Sequence, residues 1–362
     1  MSKQLSIWHL CSNRWNSAIT EYALSAARAL ALGGHETLFV AKVGTPAAKR
    51  ASVHLPTREI VDFSWRGWLD LWALMRKNPP DIVIVYGGPE AFLAGLLKAT
   101  RPLKVLRFQG QELTQKAFQK ERYRLAHRHV DLILTPSAAM AAAVRRLHPW
   151  QQVIPVVLGC DADRLQRPAF AEAPVKRPEM LIFGRLDPVK GHRAMITRFA
   201  SLLRAWDRKS PAPRLHIIGE PANLAAADLM GYVAAEGLRW GDDVVVTVQR
   251  LDDVAATLSN ACLGVVSSLG SEVICRVAEE FLLCGTPVAV SGVGSLDEVL
   301  FPGAGFSYGQ MSDEEATAAF CHWLALSAGE GVAAKNARAQ AARREFSLEA
   351  MANALSNALR LL

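Results

Sequence analysis

Residues 270–291, GSEVICRVAEEFLLCGTPVAVS, place Glu272, Arg276, Glu279 and Glu280 in an otherwise apolar segment. Carboxylates are rarely buried without a charged or hydrogen-bonding partner. Their pattern points either to a helix that aims polar groups at a ligand or to a partly wetted helix face. Two cations, Arg185 and Lys190, stand in FGRLDPVKGH at residues 183–192. Arginine grips phosphate through paired hydrogen bonds, and lysine adds a compact charge. Gly184 lets the backbone turn sharply, and the helix that follows offers free N–H groups to an anion. The same loop also reads as a solvated turn with two ordinary surface cations. If both segments face one cleft, a diphosphate fits between Arg185, Lys190 and the positive end of a helix beginning near Val273. Glu280 is then placed to accept hydrogen bonds from a ribose diol, and Glu272 to reach beyond the phosphates. Arg276 is expected to pair with Glu279 at i+3, with a phosphate contact as the alternative.

The elements that must position these groups are legible as short apolar runs. They lie at 5–10, 36–41, 81–86, 104–109, 131–136 and 153–158, then at 179–184, 214–219, 244–249, 262–268 and 287–291. Runs without alternation suit parallel strands covered on both faces. Between them lie helical patterns. Residues 17–32 carry Ile19, Tyr22, Ala23, Ala26 and Leu30, with Asn16 or Ser17 able to cap and Gly33-Gly34 closing. This alternation implies right-handed crossovers and an α/β fold of two doubly wound, Rossmann-like domains facing across a cleft. Ligands of such sheets bind outside the carboxyl ends of the strands. The proline-containing RPAFAEAPVKRPEM (167–180) is the expected linker. The reading divides the chain into domains 1–168 and 169–345, with a C-terminal helix, 346–362, crossing back toward the first.

The totals narrow the partners. A chain of 362 residues, 51% hydrophobic and 21% charged, has material for two cores and is not a disordered chain. A net charge of +7 favours anionic partners. Nucleic acid is disfavoured, because the positive charge is dispersed and no recognised binding motif occurs. Six cysteines without CxxC or zinc spacing read as reduced, packed thiols. Cys275 among them has no identifiable base to make it a nucleophile. No G-x-G-x-x-G follows a strand and no G-x-x-x-x-G-K-[ST] occurs, which disfavours a dinucleotide dehydrogenase or a P-loop NTPase. With no apolar run approaching ~20 residues and no signal-peptide pattern, the expected setting is cytoplasmic.

Several ordered motifs then carry a resemblance. GRLDPVKGH, HIIGE, VQRLDDVAATLSNACLGVVSS, the Glu272/Glu280 pair, CGTPVAVSGVGSLDEVL through Glu298, and ARREFSLEAMANAL resemble the second domain and tail of the family-four glycosyltransferases. These are retaining, nucleotide-sugar-dependent enzymes of the GT-B fold. The resemblance implies that Arg185 and Lys190 hold the donor diphosphate, that Glu280 binds the ribose hydroxyls and that Glu272 lies against the transferred sugar. Gly184 belongs to the same donor site. Val273-Ile274-Cys275 replace the family's Gly-Phe-Gly, whose amides approach the sugar. The first domain resembles the family less closely. NRWNSAITEYALSAARALALGGHET matches the opening loop and helix, but Trp15-Asn16-Ser17 replace the usual Gly-Gly. VLGCDADRL matches the loop at the domain junction. Where the family carries histidines after the third and fourth strands, VYGGPEA and RFQGQEL place Tyr86 and Gln109. Asn16 and Gln109 complete the expected donor contacts, although glutamine shuttles no proton.

The implied activity is glycosyl transfer from a nucleotide-diphosphate sugar to an acceptor hydroxyl with retention. No metal or other cofactor is expected. The implied setting is cell-envelope polysaccharide or lipopolysaccharide biosynthesis, with a saccharide or lipid-linked saccharide acceptor and peripheral contact with the anionic inner face of the cytoplasmic membrane. The rivals are a catalytically silent GT-B relative that binds a glycan or a partner, and a GT-B sugar-nucleotide epimerase. Trp65, Trp68 and Trp72, beside Arg66, Arg76 and Lys77, read as a helix face packed on its sheet, with a lipid- or sugar-facing stripe as the alternative.

Overall fold

The apolar runs form parallel strands in the computed structural model, which describes residues 3–15, 17–110, 128–165, 177–207, 210–249, 253–270, 272–274 and 276–362. The chain divides into two units, Met1–Cys160 with Glu345–Leu362, and Asp161–Arg344.

The first unit holds seven strands: β1 (Ser6–Cys11), β2 (Glu36–Lys42), β3 (Thr57–Ile60), β4 (Ile82–Val85), β5 (Lys104–Phe108), β6 (Leu132–Thr135) and β7 (Val153–Pro155). Their order is β3-β2-β1-β4-β5-β6-β7, and every pairing is parallel. Strand β4, IVIV, is buried along its whole length, as the absence of alternation in its sequence requires. Strand order reverses between β1 and β4, which makes that junction the switch point where doubly wound sheets bind ligands.

Helix Ala18–Leu32 buries Tyr22, Ala23, Ala26 and Leu30, and the Ser17 hydroxyl caps it by accepting from the Thr20 amide at 3.3 Å. Tyr22 stacks on Phe108 at 3.7 Å and donates to the Val156 carbonyl at 2.8 Å. Each fully buried aromatic or aliphatic side chain of this kind contributes about 1.5–3 kcal/mol. The tail helix Leu348–Leu359 packs on helix Ala18–Leu32. The Cys160 amide donates to Phe346, and the Leu348 amide donates to Cys160. Those bonds tie the tail to the first unit.

The second unit holds β8 (Glu179–Phe183), β9 (Arg214–Ile218), β10 (Val244–Thr247), β11 (Leu263–Val266), β12 (Val288–Val290) and β13 (Gly305–Ser307). Their order is β10-β9-β8-β11-β12-β13, again parallel, with the reversal between β8 and β11. Met195, Ile196, Phe199, Leu215, Ile217 and Phe320 form part of its core.

Three expectations are revised. Strands β3 and β13 are additional; one is the charged edge segment TREI, the other is three residues long. The helix expected from Val273 begins at Arg276 and runs to Leu283. The tryptophan stripe is not the face packed on the sheet: helix Trp65–Lys77 buries Gly67, Leu71 and Met75. Trp65 is exposed, and the half-buried Trp68 and Trp72 stack on each other at 6.3 Å. Most of the expected linker, along with Asn16 and Cys275, lies outside the described residues. Among the described residues no helix is long and apolar enough to cross a membrane.

Candidate active site

At the switch point of the second sheet, β8 ends in the loop that carries both cations of FGRLDPVKGH. Asp187 shapes that loop. Its carboxylate accepts from the Val189 amide at 3.0 Å and from the Asn223 side chain at 2.7 Å. These bonds, with the nearby charges of Arg185 and Lys190, hold its pKa below the usual carboxylate range. Gly191 has φ +70°, and a Cβ there would collide with the Ser267 carbonyl, so only glycine lets the loop lie on β11's end. Ser267 Oγ donates to the Lys190 carbonyl at 2.7 Å, and the Leu269 amide donates to Val189 at 2.7 Å. Helix His192–Ala205 follows with no side-chain cap, so the positive end of its dipole lies next to Lys190.

Glu272 is fixed from the other side. Its carbonyl accepts from the Ser295 amide at 2.9 Å, while Ser291 Oγ donates to the Ser268 carbonyl at 2.6 Å. The Glu272 side chain is 8% exposed, and its Oε1 accepts from both Lys190 Nζ and Ser268 Oγ. Lys190 also lies 3.4 Å from Ser268 Oγ. The three side chains thus form one cluster between the carboxyl ends of β8 and β11. It opens on a cavity of about 120 Å³, whose lining includes Gly184, Lys190, His192, Ser268, Glu272, Ile274 and Arg276. His192 Nε2 donates to the Arg185 carbonyl at 3.1 Å, and burial lowers its basicity, which favours the neutral ring.

The structure therefore brings Gly184, Lys190, Glu272 and Ile274 into one cavity, joined by Arg276. Arg185, Val273 and Glu280 are not among its lining residues. The Arg185 side chain is exposed, and Val273 is half-buried. Glu280 is buried, and its Oε1 accepts from Arg276 Nε at 2.8 Å. Arg276 thus reaches its i+4 neighbour, and Glu279 is buried. Ser268, Asp187 and His192 were not singled out as functional side chains by sequence.

In the first unit, Gln109 follows β5 and is buried, with Arg107 Nε 3.4 Å from its Oε1. Tyr86 is also buried, and its hydroxyl shares a 2.8 Å hydrogen bond with His9 Nδ1 of β1. An imidazole is therefore present beside Tyr86, delivered by β1 rather than by the ends of the third and fourth expected strands. Burial pushes the His9 ring down to about 3, so it is neutral near pH 7. Glu90, at the start of helix Gly88–Thr100, is buried and accepts from the Ser12 amide. Burial raises its pKa above the ordinary carboxylate value.

The sequence model described as Glycosyl transferases group 1 matches residues 177–325, and the one described as Glycosyltransferase Family 4 matches residues 19–164. The chain belongs to the group 1, family 4 glycosyltransferases. No curated protein sequence matches it. Among similar solved structures, HepE of Anabaena in complex with UDP and glucose covers 99% of this chain and 100% of its own, with TM-score 0.73 at 16% identity. Sucrose-phosphate synthase from Thermosynechococcus elongatus covers 99% of each chain, with TM-score 0.73 at 20% identity. The lipopolysaccharide outer core galactosyltransferase WaaB, in its apo form, covers 98% of each chain, with TM-score 0.71 at 13% identity. At these identities the likeness establishes the GT-B fold, and the family matches establish a glycosyltransferase.

Proposed function

We propose that this glycosyltransferase moves a sugar from a nucleotide-diphosphate sugar to an acceptor hydroxyl with retention, in cell-envelope polysaccharide or lipopolysaccharide assembly. The observation that carries the donor assignment is the Lys190–Glu272–Ser268 cluster facing one cavity at the second sheet's switch point. UDP bound to HepE and the galactosyl transfer named for WaaB support a UDP-sugar as the first donor to try.

In this reading Lys190 and Arg185 neutralise the departing diphosphate, helped by the uncapped helix end beside them. Glu272 lies against the sugar, and the buried Glu280 acts through Arg276, which it holds at the cavity wall where the guanidinium can meet the donor. The bond from the anomeric carbon to the β-phosphate oxygen breaks while the acceptor oxygen bonds to that carbon on the same face. The acceptor's proton passes to the departing β-phosphate oxygen. No metal is needed to offset that charge. The acceptor is a saccharide or lipid-linked saccharide at the inner face of the cytoplasmic membrane.

The test is a thermal-shift screen of nucleotide sugars followed by turnover on the stabilising donor. A ligand at 100 times its Kd raises stability by about 2.7 kcal/mol, well within reach of the method. Stabilisation by a nucleotide sugar, with acceptor-dependent release of nucleoside diphosphate and a product of unchanged anomeric configuration, is the expected result. Acceptor-independent conversion of the donor, or no stabilisation by any nucleotide sugar, would refute the reading.

A further inference from the structure

Helix Trp65–Lys77 of the first unit carries a surface that the reaction does not use. Its inward residues are Gly67, Leu71 and Met75, so helix periodicity turns Trp65, Leu69, Trp72 and Arg76 to another side. Trp65 is 66% exposed and Leu69 45%. The Arg66 guanidinium lies 5.5 Å from the Trp65 ring centre, and that of Arg76 lies 4.9 Å from Trp72. The neighbouring helix Gly88–Thr100 packs against this one and exposes Phe92 and Leu96.

The helix runs at once into Pro79 and Pro80, which help line a basin of about 470 Å³ with Lys98, Arg101 and Lys104. The acids of that basin are engaged. Asp131 accepts from Lys98 Nζ at 2.6 Å and from the Val105 amide at 2.8 Å, and Asp81 accepts from the Ser6 amide at 2.9 Å. On the helix and basin together, Arg76, Lys77, Arg101 and Lys104 are exposed, against two exposed acids, Asp70 and Asp81.

We infer that this face of the first unit docks on anionic phospholipid headgroups, with Trp65 and Leu69 at the headgroup boundary and the cations on the phosphates. Indole rings favour that boundary, and each basic residue near an anionic surface adds about 1 kcal/mol. The exposed Arg76, Lys77, Arg101 and Lys104 complement an anionic headgroup surface. The inference rests on the proposed lipid-linked acceptor and names the surface that meets the bilayer.

The test is co-sedimentation of the full chain with vesicles of phosphatidylcholine alone or mixed with phosphatidylglycerol. Wild type should bind the mixed vesicles and leave the neutral ones. Arg76→Glu with Lys77→Glu should lower binding at least about tenfold. Trp65→Ser should lower it as well, and Trp240→Ser, on the other unit, should leave it unchanged. Thermal stabilisation by the donor nucleotide, measured on the same samples, should be equal in all variants, which separates failure of docking from failure of the transferase reading. Equal binding to neutral vesicles, no binding, or variants that bind like wild type would overturn the inference. So would conversion of a dimer to a monomer by Trp65→Ser in velocity sedimentation, because the face would then be a contact between copies.

Discussion

Lys190 and Glu272 hold each other in a cluster whose third member, Ser268, is fully buried. Removing the ammonium leaves a carboxylate with one hydroxyl donor, and truncating one member of a buried pair costs up to about 3–5 kcal/mol. Because the Lys190 side chain is 30% exposed, water screens the pair and the stability cost falls well below that ceiling. Lys190→Ala should nevertheless lower kcat by about 10²–10³, the range found when one donor to developing charge is lost. Lys190→Met combined with Glu272→Gln should restore the midpoint of urea unfolding but not turnover. Recovery of turnover would exclude Lys190 from the charge-neutralising role.

His9 gives a second prediction at this scale. Its folded basicity, about 3, lies below the ordinary value of 6.5, so between those limits the unfolded chain binds the proton that the folded chain refuses. Its contribution is therefore complete above about pH 6.5 and is lost as pH falls toward 3, at up to about 1.4 kcal/mol per pH unit. Glu90, raised by burial, runs in the opposite direction above its unfolded value. The measurement is accordingly the stability of wild type minus that of His9→Gln from pH 7 to pH 4, which should shrink steadily on acidification. A flat difference would contradict a buried neutral imidazole. The cations and Glu272 were legible in the sequence because each sits in a local motif. His9 and Tyr86 were not paired there, because 77 residues separate the two ends of their hydrogen bond.

At the scale of elements, the donor loop depends on its contact with β11. Gly191→Ala would place a side chain against the Ser267 carbonyl in left-handed backbone, which by itself costs about 1–2 kcal/mol. With the collision added, chemical denaturation should show a loss of about 2–4 kcal/mol, and donor stabilisation should disappear. A folded variant with full donor binding would show that the loop need not lie on β11. The strand–helix alternation was readable because buried parallel strands leave apolar runs. Strand β3 was not, since TREI gains its place from pairing with β2 rather than from its composition. The late start of helix Arg276–Leu283 was equally hidden. The Glu272 carbonyl, which the next helical turn would use, is taken by the Ser295 amide. For helix Trp65–Lys77 the spacing gave the helix but not its inward side. Gly67 sets that side, because any Cβ there would strike the Asp62 carbonyl.

Taken whole, the molecule repeats one design twice, a doubly wound sheet whose order reverses beside its first strand. The class was legible from the alternation alone, whereas the activity required the ordered motifs of the second half and their family. The account assigns neutralisation of the departing diphosphate to fixed cations and a helix dipole. Turnover in the presence of EDTA should therefore match turnover without it, and a loss restored by a divalent cation would contradict that assignment. The most direct test of the central claim is calorimetric titration with the nucleoside diphosphate of the stabilising donor, on wild type, Lys190→Ala and Arg185→Ala. The account predicts saturable binding by wild type and at least about tenfold weaker binding by each variant, equivalent to about 1.4 kcal/mol. No binding of any nucleoside diphosphate to wild type, or unchanged affinity in both variants, would contradict it.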